Sequence, residues 1–147
     1  MLSIDANVLV YSTDRNAPAR RDAAAELLAS AVRAGAGLTE QSLFEFMHAA
    51  TRKAKMPLAD VSAIIREWLK NFALLLPPET VVSDTLDLLS RYKLSVWDAR
   101  LLVVCAANGC DYLLSEDLQD GAQYGRVAVV DPFKSANASL VSGMLRL

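Results

Sequence analysis

Apolar positions along the chain alternate between short continuous runs and longer stripes at helical spacing. Leu2 to Ile4 is a brief apolar run that stops at Asp5, and the apolar run Val8 to Tyr11 follows. Pro18 stands where a first-turn proline would, and ARRDAAAELLASAVRA after it closes at Gly35, which predicts a helix. Gly37 to Thr39 predicts a second short strand. From Glu40 to Lys55, Leu43, Phe44, Phe46, Met47 and Ala50 recur on one side of a helix. Leu58 to Lys70 repeats that pattern after Pro57, with Leu58, Val61, Ile64, Ile65, Trp68 and Leu69 as its stripe. Phe72 to Leu76 is wholly apolar and ends at Pro77–Pro78, as a buried strand does. Glu79 to Tyr92 and Ser95 to Asn108 predict two more helices, the second almost entirely apolar and closed by Gly109. Tyr112 to Leu114 and Val127 to Val130 are the last predicted strands, separated by the polar loop SEDLQDGAQYG. About five short apolar strands alternating with helices predict an α/β fold whose central, mostly parallel sheet is covered on both faces.

Composition narrows the picture. The 147 residues predict a single domain over 1–147, long enough to hold a core without covalent staples. Hydrophobic residues make up 53% and charged residues only 22%, which excludes a disordered chain. The longest apolar stretch, Leu101 to Ala107, falls far short of the ~20 residues a membrane-spanning helix requires, so no membrane association is expected. The opening MLSIDANVLV has no basic leader region, and the cytoplasm is the expected compartment. Two cysteines and one histidine give no zinc or iron–sulfur ligand set, and Cys105 and Cys110 are expected in the core. A metal would have to be held by oxygen, from seventeen Asp and Glu set against fifteen Lys and Arg. The resulting net charge of −2 argues against indiscriminate nucleic-acid binding, but an acidic site filled by a cation would not repel a phosphate substrate.

In parallel sheets, sites form beyond the carboxyl ends of the strands. Asp5 ends the first strand, where it either caps a short helix or acts chemically. A carboxylate set in so apolar a segment is costly unless paired or metal-bound, which favours the second role. Asp98 follows Ser95 at capping-box spacing, and a cap and a ligand are equally good readings of it. Glu45 lies roughly opposite the apolar stripe of its helix, on a face shared with Gln41, His48 and Arg52; by pattern alone this is a solvated face. Asp117 and Asp120, with Glu116 beside them, lie in a loop where turn chemistry accounts for Asp, yet three acids in five residues repel one another without a cation or base.

Taken together these segments resemble the PIN domain family, and more narrowly the VapC-type toxins of toxin–antitoxin pairs. IDANVLVYS resembles the family's first motif, TEQSLFEFMHAATRK its second, and SVWDARLLVVCAANGCDYLLSEDLQDG its third and fourth. The order and spacing match over nearly the whole chain. Ala6 departs from the Thr or Ser that many members carry. The resemblance implies a three-layer α/β/α sandwich and a metal-dependent endoribonuclease, the toxin of a VapBC-type system. It implies that Asp5, Glu45, Asp98 and Asp117 are the catalytic acids and ligands of Mg²⁺, with Mn²⁺ as a substitute. Asn7 and Ser115 would orient those ligands, with Asp120 as an auxiliary and Glu116 left open. RNA phosphates would meet basic residues near the mouth, with Arg100, Arg15 and Arg52 foremost. The implied partners are RNA, a small cognate antitoxin protein and a second copy of the chain in a homodimer.

Two other functions fit parts of the sequence. An Asp-based phosphotransfer domain would use Asp5 as nucleophile, but Asn7 replaces the second acid such sites carry and Lys134 comes only after Pro132. A non-catalytic RNA- or protein-binding module of the same fold would be marked by lost acids, and all four are present.

Overall fold

The computed structural model describes residues 1–146, and among these a six-stranded sheet carries helices on both faces. In chain order the elements are β1 (Leu2–Ile4), α1 (Ala6–Tyr11), α2 (Pro18–Arg33), β2 (Gly37–Thr39), α3 (Glu40–Arg52), α4 (Leu58–Asn71) and β3 (Ala73–Leu75). They continue with α5 (Val81–Arg91), α6 (Val96–Ala107), β4 (Tyr112–Leu114), β5 (Gln123–Tyr124), β6 (Val127–Val130), a 3₁₀ turn (Ser135–Asn137) and α7 (Ala138–Leu145). The sheet order is β3-β2-β1-β4-β6-β5, parallel throughout except for β5 against β6.

Side chains alternate across each strand, which divides the core in two. Leu114 and Val130 point with Ile4 and Leu38 toward α1, α2, α3 and α4, where Val8, Leu28, Phe46 and Ile65 meet them. Their neighbours Leu113 and Val129 point the other way, toward Leu88 of α5 and Leu101, Leu102 and Val104 of α6. Strands buried on both faces read as largely apolar runs, and the polar residues they do hold, Ser3 in β1 and Thr39 in β2, are small and fully buried. Helix α6 is buried along Ala99 and Leu101 to Cys105 because it lies between the sheet and α5.

The helix ends follow their residues. Pro18 is the first residue of α2. Ser95 Oγ accepts the Asp98 N–H at 3.1 Å and starts α6. At the other end of α6, Gly109 adopts φ +80°, Cys110 N–H donates to Cys105 O at 3.0 Å and Gly109 N–H to Ala106 O at 3.1 Å. This paired closure brings the side chain at the start of the last turn against the one just past the cap, here two buried free thiols. Contact with Cys110 and burial push the Cys105 thiol well above its ordinary value, so it is an inert core group.

Several expectations need correction. Phe72 to Leu76 is not a fully buried strand: β3 lies at the sheet edge, where Ala73 and Leu74 are exposed. Phe44, assigned to the buried stripe of α3, is exposed, as are Leu58 and Leu69 of the α4 stripe, whereas Gln41, assigned to the solvated face of α3, is buried. The polar loop after β4 contains β5, a strand of only two residues, too short to show a pattern, whose Tyr124 packs edge-to-face on Tyr92. Helices α1 and α7 extend the predicted set.

Candidate functional site: an acidic crevice at the end of the sheet

The chain leaves β1 toward β2 and β3 on one side, then crosses back through α5 and α6 to place β4 on the other. The carboxyl ends of β1 and β4 therefore flank the point where the strand order reverses, which is where open parallel sheets form their crevices. Asp5 N–H donates to Leu114 O at 2.9 Å and fixes the first acid beside Ser115.

Asp5 is 5% exposed and performs both roles its sequence context suggested. Its Oδ1 accepts the Ala6 N–H at 2.7 Å and caps α1. Its Oδ2 accepts from Ser115 Oγ at 2.7 Å and from Asn7 Nδ2 at 3.3 Å. Ser115 Oγ also receives the Asn7 amide at 3.2 Å and the Asp117 N–H at 3.2 Å, so one buried hydroxyl ties the end of β1 to the loop after β4. Asn7 Oδ1 completes the loop contacts by accepting the Glu116 N–H at 3.3 Å.

Burial pushes the Asp5 carboxyl up from its ordinary 3.8 to about 6. The bonds from Ser115 and Ala6 oppose this, and the negative charges of Glu45 and Asp117 add to it. Those two acids therefore act electrostatically on Asp5 from α3 and from the β4–β5 loop, and both are solvent-exposed. Asp98 is half-buried in the first turn of α6, with its backbone held by Ser95. Among the described residues, no three His, Cys, Asp or Glu side chains are gathered around one point as closely as a bound ion would draw them. The donor set is nonetheless suited to a hard divalent cation. It is all oxygen, and its buried member is held from ionising freely by desolvation and by like charge, both of which a cation relieves.

Other expected site residues have different partners. Asp120 accepts the Asp131 N–H at 2.8 Å and the Asn137 amide at 2.9 Å, with Lys134 Nζ at 3.3 Å. Its carboxylate thus anchors the segment leading into α7, and the Asp131 N–H holds it below the ordinary carboxylate range. Glu116 accepts the Tyr11 hydroxyl at 2.7 Å and pairs with Arg20 at 3.5 Å, while the Arg20 guanidinium lies over the Tyr11 ring. Arg100 is not free for a phosphate: its guanidinium pairs with Glu40 and donates to Gln41 Oε1 at 2.9 Å. Arg15 and Arg52 remain exposed. The residue that sequence reasoning passed over is Gln41, whose polar type on a polar face gave no sign that α6 covers it.

A mostly parallel six-stranded sheet covered by helices on both faces, with the buried carboxylate of Asp5 at the strand-order reversal, defines the class of this molecule. The chain belongs to the PIN domain family, whose model matches residues 2–121. Proteins of this family are typically nucleases and generally use divalent metals. No curated protein sequence matches. Among solved structures, a toxin–antitoxin complex from Klebsiella pneumoniae is 19% identical, with a TM-score of 0.63 over 91% of this chain and 99% of that one. VapC20 of Mycobacterium tuberculosis, described as a sarcin–ricin loop cleaving toxin, is 17% identical, with a TM-score of 0.63 over 80% of this chain and 90% of that one. FitAcB from Neisseria gonorrhoeae is 14% identical, with a TM-score of 0.61 over 90% of this chain and 99% of that one. At these identities the likeness is one of fold.

Proposed function

We propose that this protein is a metal-dependent endoribonuclease, the toxin of a VapBC-type toxin–antitoxin pair. The observation that carries this reading is the buried Asp5. It is fixed by Ser115 and Asn7 at the crevice of the sheet and opposed by the charges of Glu45 and Asp117. Asp5, Asp98 and Asp117 are the proposed holders of Mg²⁺, or Mn²⁺ in its place. The chemistry such an ion supplies when bound is Lewis acidity toward a phosphodiester and toward water. Glu45, exposed at the rim, either joins the ion-holding set or accepts the proton of the attacking water. Asn7 and Ser115 keep the Asp5 carboxylate in one orientation, because its Oδ2 is bonded to both. Arg15 and Arg52 are the proposed contacts to RNA phosphates.

Exposed apolar side chains on α3 (Phe44), α5 (Val82, Leu86) and α6 (Val96, Trp97) support a second copy of the chain as one partner. A small antitoxin protein is the other, by analogy with the toxin–antitoxin complexes of similar fold. No described helix is long and apolar enough to cross a membrane, and the proposed site of action is the cytoplasm.

The deciding experiment is cleavage of a mixed pool of transfer, ribosomal and messenger RNA. Partner-free protein is compared with Asp98→Ala, each with Mg²⁺, with Mn²⁺ and with chelator. Discrete fragments that need the metal and vanish in the variant are expected. Cleavage that survives Asp98→Ala refutes the site assignment, and RNA binding without turnover in either metal makes the protein a binding module.

A further inference from the structure

Gln41 enters α3 one turn before Glu45, on the face that helical spacing assigns to solvent, yet it is only 7% exposed. Its carboxamide makes three bonds. Nε2 donates to Glu45 Oε1 at 3.0 Å and to the Trp97 carbonyl at 3.0 Å, and Oε1 accepts from Arg100 Nη1 at 2.9 Å. The orientation of the amide is settled by chemistry, since a guanidinium has no acceptor and a carboxylate or carbonyl has no donor. Arg100 is fixed in turn by its ion pair with Glu40, the first residue of α3. Trp97 directly precedes Asp98 in the first turn of α6. One buried carboxamide thus spans two acids that lie on different helices, holding the side chain of one and the backbone beside the other.

We propose that Gln41 is a positioning residue that braces Glu45 against the first turn of α6 and so sets the spacing between Glu45 and Asp98. This rests on the reading of these acids as an ion-holding site. Glu45 is otherwise a long exposed side chain with many rotamers, and an ion or substrate that needed it would have to immobilise it on arrival. The bond from Gln41 makes that restriction part of the fold. Arg100 and Glu40 belong to the same device: the guanidinium holds the carboxamide oxygen, which leaves both amide hydrogens facing Glu45 and Trp97. The net charge of the network is that of Glu45 alone, because Arg100 offsets Glu40.

The test measures Mn²⁺ binding to metal-free protein by calorimetry, together with the thermal midpoint. Gln41→Met keeps the length and apolar stem but has no donor, and it is expected to weaken Mn²⁺ binding by about tenfold to a hundredfold, the usual effect of losing a group that orients a ligand. In a Glu45→Ala background the same substitution is expected to change affinity less than about twofold, since the side chain it acts through is gone. Gln41→Asn, too short to span both partners, is a second variant for the case in which Gln41→Met does not fold, and the same loss is expected. Equal losses in the two backgrounds overturn the brace, because a purely structural role does not depend on Glu45. Tight wild-type binding that neither variant weakens overturns the brace alone. A wild-type protein that binds no Mn²⁺ overturns the metal-site reading and the brace with it.

Discussion

Ser115 is where the two ends of the sequence meet chemically. Its hydroxyl donates to Asp5 at 2.7 Å while receiving the Asp117 N–H, so Ser115→Ala removes a donor from a buried carboxylate and an anchor from the loop that carries a second acid. The expected cost is about 1–3 kcal/mol of stability by urea titration, because a buried acceptor is left underbonded. Asp5 itself makes stability depend on pH. Its carboxyl titrates near 6 when folded and near 3.8 when unfolded, so between those values the folded chain holds the extra proton. The contribution of Asp5 to stability is therefore greatest below about pH 4, declines as pH rises through 6, and levels off above, a change of roughly 3 kcal/mol for this group alone. Asp5→Asn is expected to lack this decline when both proteins are unfolded by denaturant across that range. Mn²⁺ is expected to raise the thermal midpoint of the wild type more at pH 7 than at pH 5, since an ion competes with the proton for the same oxygens.

Among the elements, β2 packs closely against its neighbour β3. A Cβ on Gly37 would lie 2.6 Å from Leu75 Cδ2 and 2.7 Å from Leu75 Cγ on the neighbouring strand. Gly37→Ala is expected to cost about 1–3 kcal/mol, read as a lowered thermal midpoint, and Leu75→Ala in the same chain should recover part of it. Such sites show what a sequence can declare about its elements. Pro18, Ser95 and Gly109 announce helix ends because each has a local backbone reason to stand there, and α2 and α6 begin and close where they indicate. Asp5 was legible as a candidate for the same kind of reason, being a carboxylate at the end of an apolar strand, whereas Ser115 entered through the family resemblance. What was hidden depends on distant partners. Nothing local distinguishes Gln41, which is buried only because α6 lies over it, from an exposed neighbour such as His48. Phe44 is the converse case, an aromatic ring at the right helical spacing with no element above it. Helix α1 is apolar almost throughout, so its six residues carry no periodicity to separate helix from strand.

For the whole molecule, the notable surface is the set of exposed apolar side chains on α5 and α6, a helix pair packed together over one face of the sheet. If this face joins two copies, Leu86→Glu, on α5, which carries none of the proposed site acids, is expected to halve the mass found by sedimentation while leaving the thermal transition of the single chain cooperative. An unchanged mass would place the dimer contact elsewhere. The sheet order also governs when the molecule becomes a machine. Strand β1 is made first but lies in the interior of the sheet, and its partner β4 follows more than a hundred residues later. Contacts between such distant segments bear the full entropy of closing the intervening chain, so they form late and slowly. The Asp5–Ser115 bond is one of them, which means that the proposed centre cannot assemble on a growing chain before Ser115 has emerged from the ribosome. If the chain cuts RNA as proposed, that delay would separate the act of being translated from the capacity to damage the machinery translating it.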